Sequence, residues 1–126
     1  MKDLIVTIES YLRLIAHDIF MARHDLAALH RQIKEYPLRV IDPQGSAKEP
    51  LCRCLDIACV FYPKRALCLQ RSAVLVRMLR RRGLPAHLVI GAQKLPFKAH
   101  AWVEIDGRII DDRLAEREKF HILEVC

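Results

Sequence analysis

The chain has 126 residues, 52% of them hydrophobic and 29% charged, with 21 lysines and arginines against 15 acids for a formal net charge of +6. That is one domain's worth of chain, long enough to bury a core without metal or disulfide, too apolar for a disordered segment, and too poor in Gly (4) and Pro (6) for collagen or low-complexity sequence. No apolar run reaches the ~20 residues that span a bilayer, and Met1–Lys2–Asp3 carries an acid where a secretory signal would show an apolar block, so the expected location is the cytoplasm, with the five cysteines as reduced thiols.

Residues 3–33 predict helix. Leu4, Ile8, Leu12, Ile15 and Ile19 recur at helical spacing, followed by Ala22, Leu26, Leu29 and Ile33; the pattern fits one long helix or two with a bend near residues 20–23. Pro37, Pro43, Gly45, Ser46 and Pro50 make residues 36–50 a loop. A short helix is expected over 51–61, stopping before Tyr62–Pro63. A third helix is expected over 68–82. Gly83 and Pro85 end it, Arg80, Arg81 and Arg82 suit the negative end of its dipole, and the apolar stretch Ala73 to Val76 makes it central to the core. The period then changes: 86–92, 99–105 and 108–111 read as strands around an Asp106–Gly107 hairpin signal, with a last strand from Phe120 to Val125. Helices followed by an antiparallel sheet give an α+β class.

Cys68 falls at the N-terminus of the central helix, where free N–H groups and the dipole stabilise a thiolate; the plain alternative is a small buried hydrophobe. His100 opens the strand segment His100–Ala101–Trp102–Val103–Glu104, where it could take a thiol's proton. His17, His24 and His30 fall on the polar side of the first helix and read as solvated, and His87 and His121 have no acid in an obvious supporting position. A catalytic imidazole needs an orienting acid, and Asp111 and Asp112 both follow the hairpin. A two-residue loop would pair Ile105 with Arg108 and bring Asp111 onto the His100 face. A three-residue loop would pair Glu104 with Arg108, a favourable cross-strand ion pair, and set Asp112 opposite His100. The second register also gathers Ala101, Val103 and Ile109 on one apolar face, so Asp112 is preferred and Asp111 is the alternative. Trp102 shares the His100 face in either case, to shield the pair or to line a substrate cleft.

No metal or other cofactor is expected. Cys52, Cys54 and Cys59 have one and four intervening residues, unlike the usual zinc spacing, and read as helix packing; no phosphate-binding glycine loop is present.

The stretch Ala66–Leu67–Cys68–Leu69–Gln70–Arg71–Ser72, continuing through Leu79–Arg80–Arg81–Arg82–Gly83–Leu84–Pro85–Ala86, resembles a known family, as do Val89–Ile90–Gly91–Ala92–Gln93–Lys94 and Ala99–His100–Ala101–Trp102–Val103–Glu104 through Asp106–Gly107–Arg108 to Asp112. The family is the leader peptidases of lasso peptide biosynthesis, transglutaminase-like cysteine proteases of the McjB C-terminal type, and the likeness covers roughly residues 55–113. The resemblance implies one domain over 1–126, with a helical extension and loop at 1–50 and a papain-like catalytic core at 51–126. It also implies that Cys68 is the nucleophile, His100 the base and then acid, and Asp112 the orienting residue. The implied partners are a lasso precursor peptide, bound through its leader, and the cyclase that acts on the freed core. The strand-rich leader-recognition domain of some members has no counterpart in residues 1–50, which implies a separate leader-recognition protein, with the first helix or the 36–50 loop as its contact. Papain-like enzymes often place an oxyanion Gln before the nucleophile, yet residues 60–67 contain none.

Two other classes fit the same sequence: a non-catalytic leader-binding module of this fold, and a basic nucleic-acid binder using Arg77 and Arg80–Arg82. With 6% aromatics the chain offers no stacking platform for single strands, and neither nucleic acid nor membrane is expected as a partner.

Overall fold

A computed structural model describes residues 2–36, 48–63, 68–94, 97–105, 108–110 and 121–126. Four helices precede a four-stranded antiparallel sheet of order β3-β2-β1-β4, the α+β arrangement expected from the sequence. The helices are α1 (Lys2–Arg23), α2 (Leu26–Glu35), α3 (Lys48–Phe61) and α4 (Cys68–Arg81); the strands are β1 (Ala86–Lys94), β2 (Phe97–Ile105), β3 (Arg108–Ile109) and β4 (His121–Val125). No helix among the described residues is long and apolar enough to cross a membrane.

The first periodic segment divides at Asp25. Its side chain accepts the Ala28 N–H at 2.9 Å and so caps α2, while its own extended backbone ends the run of α1. Periodicity placed helix here correctly but chose the wrong face. Leu4, Ile8, Leu12, Ile15 and Ile19 are exposed, and α1 is held to the molecule by Val6, Ser10, Leu14, Phe20 and Met21. His17, expected to be solvated, lies on that inner face and is buried. The outer and inner stripes of α1 are both apolar, so spacing alone does not tell them apart.

Helix α3 begins at Lys48, inside the expected loop, because Pro50 falls in its first turn, where a missing N–H costs no helical hydrogen bond. Tyr62 closes its far end by donating to the Asp18 carboxylate and meeting the Tyr11 ring edge-on at 5.5 Å. Burial and the Asp18 carboxylate push the Tyr62 phenol up to about 12. Helix α4 is central, with Ala73, Val74, Leu75, Val76, Met78 and Leu79 all fully buried. It ends in a Schellman cap: Leu84 N–H bonds to Leu79 O and Gly83 N–H to Arg80 O, with Gly83 at φ 91°, a conformation that glycine adopts without a Cβ clash. Leu14, Leu29 and Ile33 belong to the same apolar cluster as α3 and α4, so α1 and α2 are part of the core.

The arginines at the end of α4 are internal ties. Arg80, 8% exposed, donates Nε to Ala86 O at 2.8 Å and Nη2 to the Cys126 main-chain oxygen at 3.0 Å, and Nη1 to Ile33 O. Burial holds its guanidinium below the usual arginine range. Arg77 is also buried and donates to Gln32. Arg82 reaches Glu9 on α1 at 2.9 Å, and Arg13 reaches the same carboxylate at 3.0 Å. Burial alone would raise the Glu9 carboxyl, but its bonds to Arg82 and Arg13 outweigh that and hold it below the ordinary value of 4.5.

In the sheet, β1 and β2 pair over their whole length, from Ala86↔Ile105 to Lys94↔Phe97. One face carries Ala86, Leu88, Ala101 and Val103 into the apolar cluster shared with α4. The other face sets His87, Val89 and Gly91 against Glu104, Trp102 and His100. The hairpin to β3 pairs Ile105 with Arg108 and Glu104 with Ile109. This is the two-residue register, and it corrects the expected Glu104–Arg108 pairing. The expectation treated Glu104 as an exposed acid in need of a cross-strand cation, whereas Glu104 is buried and accepts the Trp102 indole N–H at 2.7 Å. Two residues of the sequence, Asp-Gly, separate the paired positions, the spacing that tight hairpins favour.

Candidate active site

The backbone of α4 starts at Cys68. Pro63 cannot continue α3, so the chain must re-enter helix after it, and the dipole of a 14-residue helix is directed at that re-entry point. Ser72 lies one helical turn further along the same face as Cys68. Its hydroxyl donates to Ala101 O at 3.1 Å, buried between α4 and β2. This bond ties the first turns of α4 to the strand at the residue next to His100. Arg71 anchors the same turn to α3 through Asp56 at 2.8 Å, and Gln70 donates to Leu14 O at 3.1 Å. Gln70 is therefore committed to α1 and does not replace the missing oxyanion glutamine.

His100 is half-buried on β2, on the sheet face away from Ala101 and Val103. Its cross-strand neighbour is Gly91, beside the register shift at Ile90/Gly91 where β4 joins β1. A glycine there places no side chain directly across the strand pair from the imidazole. Among the described residues β3 pairs only with Ile105 and Glu104, so the outer edge of β2 at His100 has no described strand along it. Trp102 stands next on the face, its ring centroid 6.4 Å from that of His100 and tilted by 51°. It is 2% exposed, backed by Val89 across the strand pair and fixed by its bond to Glu104.

The structure thus ties Ser72, one turn into α4, to Ala101 on β2 and packs Trp102 beside His100. Asp111 and Asp112 lie outside the described residues. The observed two-residue register removes the pairing argument that preferred Asp112, so its assignment over Asp111 rests on the family resemblance alone. Two contributors were missed from the sequence. Glu104 could have been found from Trp102, since a buried indole N–H seeks an acceptor and the same-face residue two positions on is an acid. Ser72 could have been found from its helical spacing to Cys68.

The remaining cysteines serve packing: Cys54 is buried and donates to Asp3 O at 3.5 Å, and Cys52 and Cys59 pack against the core. Among the described residues no cluster of histidine, cysteine and acid could hold a metal ion.

The model of the transglutaminase-like superfamily matches residues 11–125. The microcin J25-processing protein McjB of Escherichia coli is 43% identical over 56 residues, which is 44% of this chain and 27% of the relative. The matched segment thus spans about a quarter of that relative's length. No solved structure matches the chain. A family match over nearly the whole chain, on a helix that starts at a cysteine and packs on an antiparallel sheet bearing a histidine, makes this chain a member of the transglutaminase-like superfamily.

Proposed function

We propose that this protein is a cysteine peptidase that removes the leader from a ribosomally made lasso precursor peptide, with Cys68 as nucleophile, His100 as general base and acid, and Asp112 as the residue that orients the imidazole. The observation that carries the reading is the Ser72–Ala101 bond, which ties α4, one turn after Cys68, to the residue next to His100. The superfamily and the likeness to a microcin-processing protein support it.

In this reading His100 takes the Cys68 thiol proton and the thiolate attacks the scissile carbonyl. The tetrahedral intermediate collapses as His100 gives its proton to the departing amine, the new N-terminus of the core peptide. Water, deprotonated by His100, then cleaves the thioester and releases the leader with a free carboxylate. The helix N-terminus favours the thiolate, and the Cys68 N–H is a natural oxyanion donor. Trp102, packed beside the imidazole, shields it from water and walls the substrate side. A separate leader-recognition protein presents the precursor, and a cyclase takes the product. A cytoplasmic site of action accords with substrates made on ribosomes. The internal use of Arg77, Arg80 and Arg82 speaks against the nucleic-acid reading.

The test is a mass-spectrometric assay of precursor, leader-recognition protein and this protein, with Cys68→Ala as control. Loss of a leader-sized fragment with wild type alone is the expected result. Intact precursor with both, when the proteins are folded and bind one another, would replace this reading with the leader-binding module.

A further inference from the structure

The sheet buries an acid that the chemistry proposed above does not use. Glu104 is 5% exposed, although it lies on the face of β2 opposite the one packed on α4. A polar group buried in such a place is costly unless it is well bonded. Its Oε2 accepts the Trp102 indole N–H at 2.7 Å, at the short end of the N–H···O range. Residues 100, 102 and 104 alternate onto one face of the strand, so imidazole, indole and carboxyl stand in a row. The indole ring centroid lies 6.4 Å from that of His100. The two ends of the row are held unequally. At Glu104 the strand is flanked on both sides, by His87 of β1 and Ile109 of β3, and the Ile110 N–H adds a bond to Val103 O at 3.1 Å. At His100 the flanking strand among the described residues is β1 alone, at Gly91, beside its register shift.

We propose that Glu104 is a positioning residue for the cleavage step: it fixes the Trp102 ring and, through that ring, the imidazole of His100. This deepens the peptidase reading and rests on it. Packing on a strand sets where an indole stands, but a bond from its N–H also sets how the ring is turned. The ring so fixed forms one wall of the imidazole's place at the end of the row that has less strand support. With the bond gone, the indole is free to turn and that wall moves. A misplacement of a catalytic group by about 1 Å costs on the order of a hundredfold in rate. No proton passes along the row, because the indole N–H keeps its hydrogen throughout. The residue type follows from the same need. An aliphatic side chain at 104 would take this acceptor from a buried indole, and a glutamine would offer an amide oxygen while bringing an NH2 group that itself needs acceptors. Glu, Gln and Met at position 104 are therefore ranked in that order.

The test compares Glu104→Gln and Glu104→Met, each in the otherwise wild-type chain and in Trp102→Phe, by two readouts. One is cleavage of a lasso precursor at saturating concentration with its leader-recognition protein. The other is alkylation of Cys68 by iodoacetamide near neutral pH, followed on the Cys68 peptide by mass spectrometry, which needs no substrate and reports the thiolate that His100 supports. Glu104→Met should lower kcat about ten- to a hundredfold, with KM within about twofold, and slow Cys68 alkylation while circular dichroism shows the variant folded. Glu104→Gln should lose only about threefold. Trp102 is the single tryptophan of the chain, so its emission should shift in Glu104→Met and less in Glu104→Gln. In Trp102→Phe, which keeps a ring but has no N–H, neither change at 104 should lower either readout further. An effect of Glu104→Gln that persists undiminished in Trp102→Phe would overturn the route through the indole, and this pair decides the matter should Glu104→Met misfold. Losses that only follow the folded fraction would overturn the positioning role, as would alkylation of Cys68 at one rate in all variants. Precursor left intact by wild type, with the alkylation ranking as expected, would overturn the leader-peptidase reading and leave the positioning of His100 by Glu104 standing.

Discussion

The two ends of α4 are held in different ways. At the C-terminal end Arg77, Arg80 and Arg82 are turned into the fold, while Arg81 is exposed. The Schellman bonds satisfy the last carbonyls, and Arg80 ties α2, β1 and the residue after β4 together through main-chain oxygens. At the N-terminal end the Ser72 hydroxyl ties the helix to the strand of His100, and the bonds of Gln70 and Arg71 described above run to α1 and α3. The basic end, which composition alone would assign to a phosphate partner, is architecture. The end that a charge count passes over carries the chemistry we propose.

Paired substitutions at the two ends sharpen this contrast. Cys68→Ala should lower leader cleavage by about a thousandfold or more with the thermal midpoint nearly unchanged. Arg80→Met should do the reverse, costing about 3 kcal/mol of stability because buried carbonyls lose their donor, with residual activity in proportion to the folded fraction. Denaturant unfolding and the cleavage assay together decide it, and equal effects on both readouts from either variant would erase the distinction. Asp112→Asn should lower the cleavage rate less than Cys68→Ala does, leaving measurable residual activity. Asp111→Asn should leave it within a few fold, and the opposite ranking would move the orienting role to Asp111. Ser72→Ala should cost about 1 kcal/mol of stability but lower the rate by more than that loss of folded protein explains, if the bond positions the helix for catalysis. The smallest effect belongs to Glu9→Gln. Because Arg82 and Arg13 hold the Glu9 carboxyl low, its stabilisation is present above the ordinary value of 4.5 and is lost as pH falls through its lowered value. Wild type should exceed the variant by about 0.5 kcal/mol near neutrality, and the two should converge in acid, as read by unfolding at each pH.

The sequence carried local signals well and partner choice poorly. Gly83 after a basic helix end, Pro63 after Tyr62, and Asp-Gly between alternating runs each encode a backbone event that needs little tertiary context, and each lies at an element boundary. Cys68 at the helix start is legible for the same reason. What failed needed knowledge of what lies opposite. The stripe from Leu4 to Ile19 has the right period for a helix, but a helix with apolar residues on two faces does not declare which one the core takes. Glu104 reads as a strand-surface acid until Trp102 is known to be buried beside it. The arginines of α4 read as a basic helix end open to a phosphate partner; Arg80 is internal, since three main-chain oxygens converge on it from segments far apart in the chain.

That convergence bears on how the chain folds. The oxygens that Arg80 meets belong to Ile33, Ala86 and Cys126, at the end of α2, the start of β1 and just beyond β4. A collapsed intermediate in which α4 had packed before the last strand arrived would bury a cation short of acceptors, an unfavourable state. The edge strand therefore completes the core as well as the sheet, and its arrival is coupled to the docking of the central helix. A short edge strand would ordinarily be the first element to fray; here its loss exposes a charge deep in the helical layer, which ties β4 to the global unfolding transition.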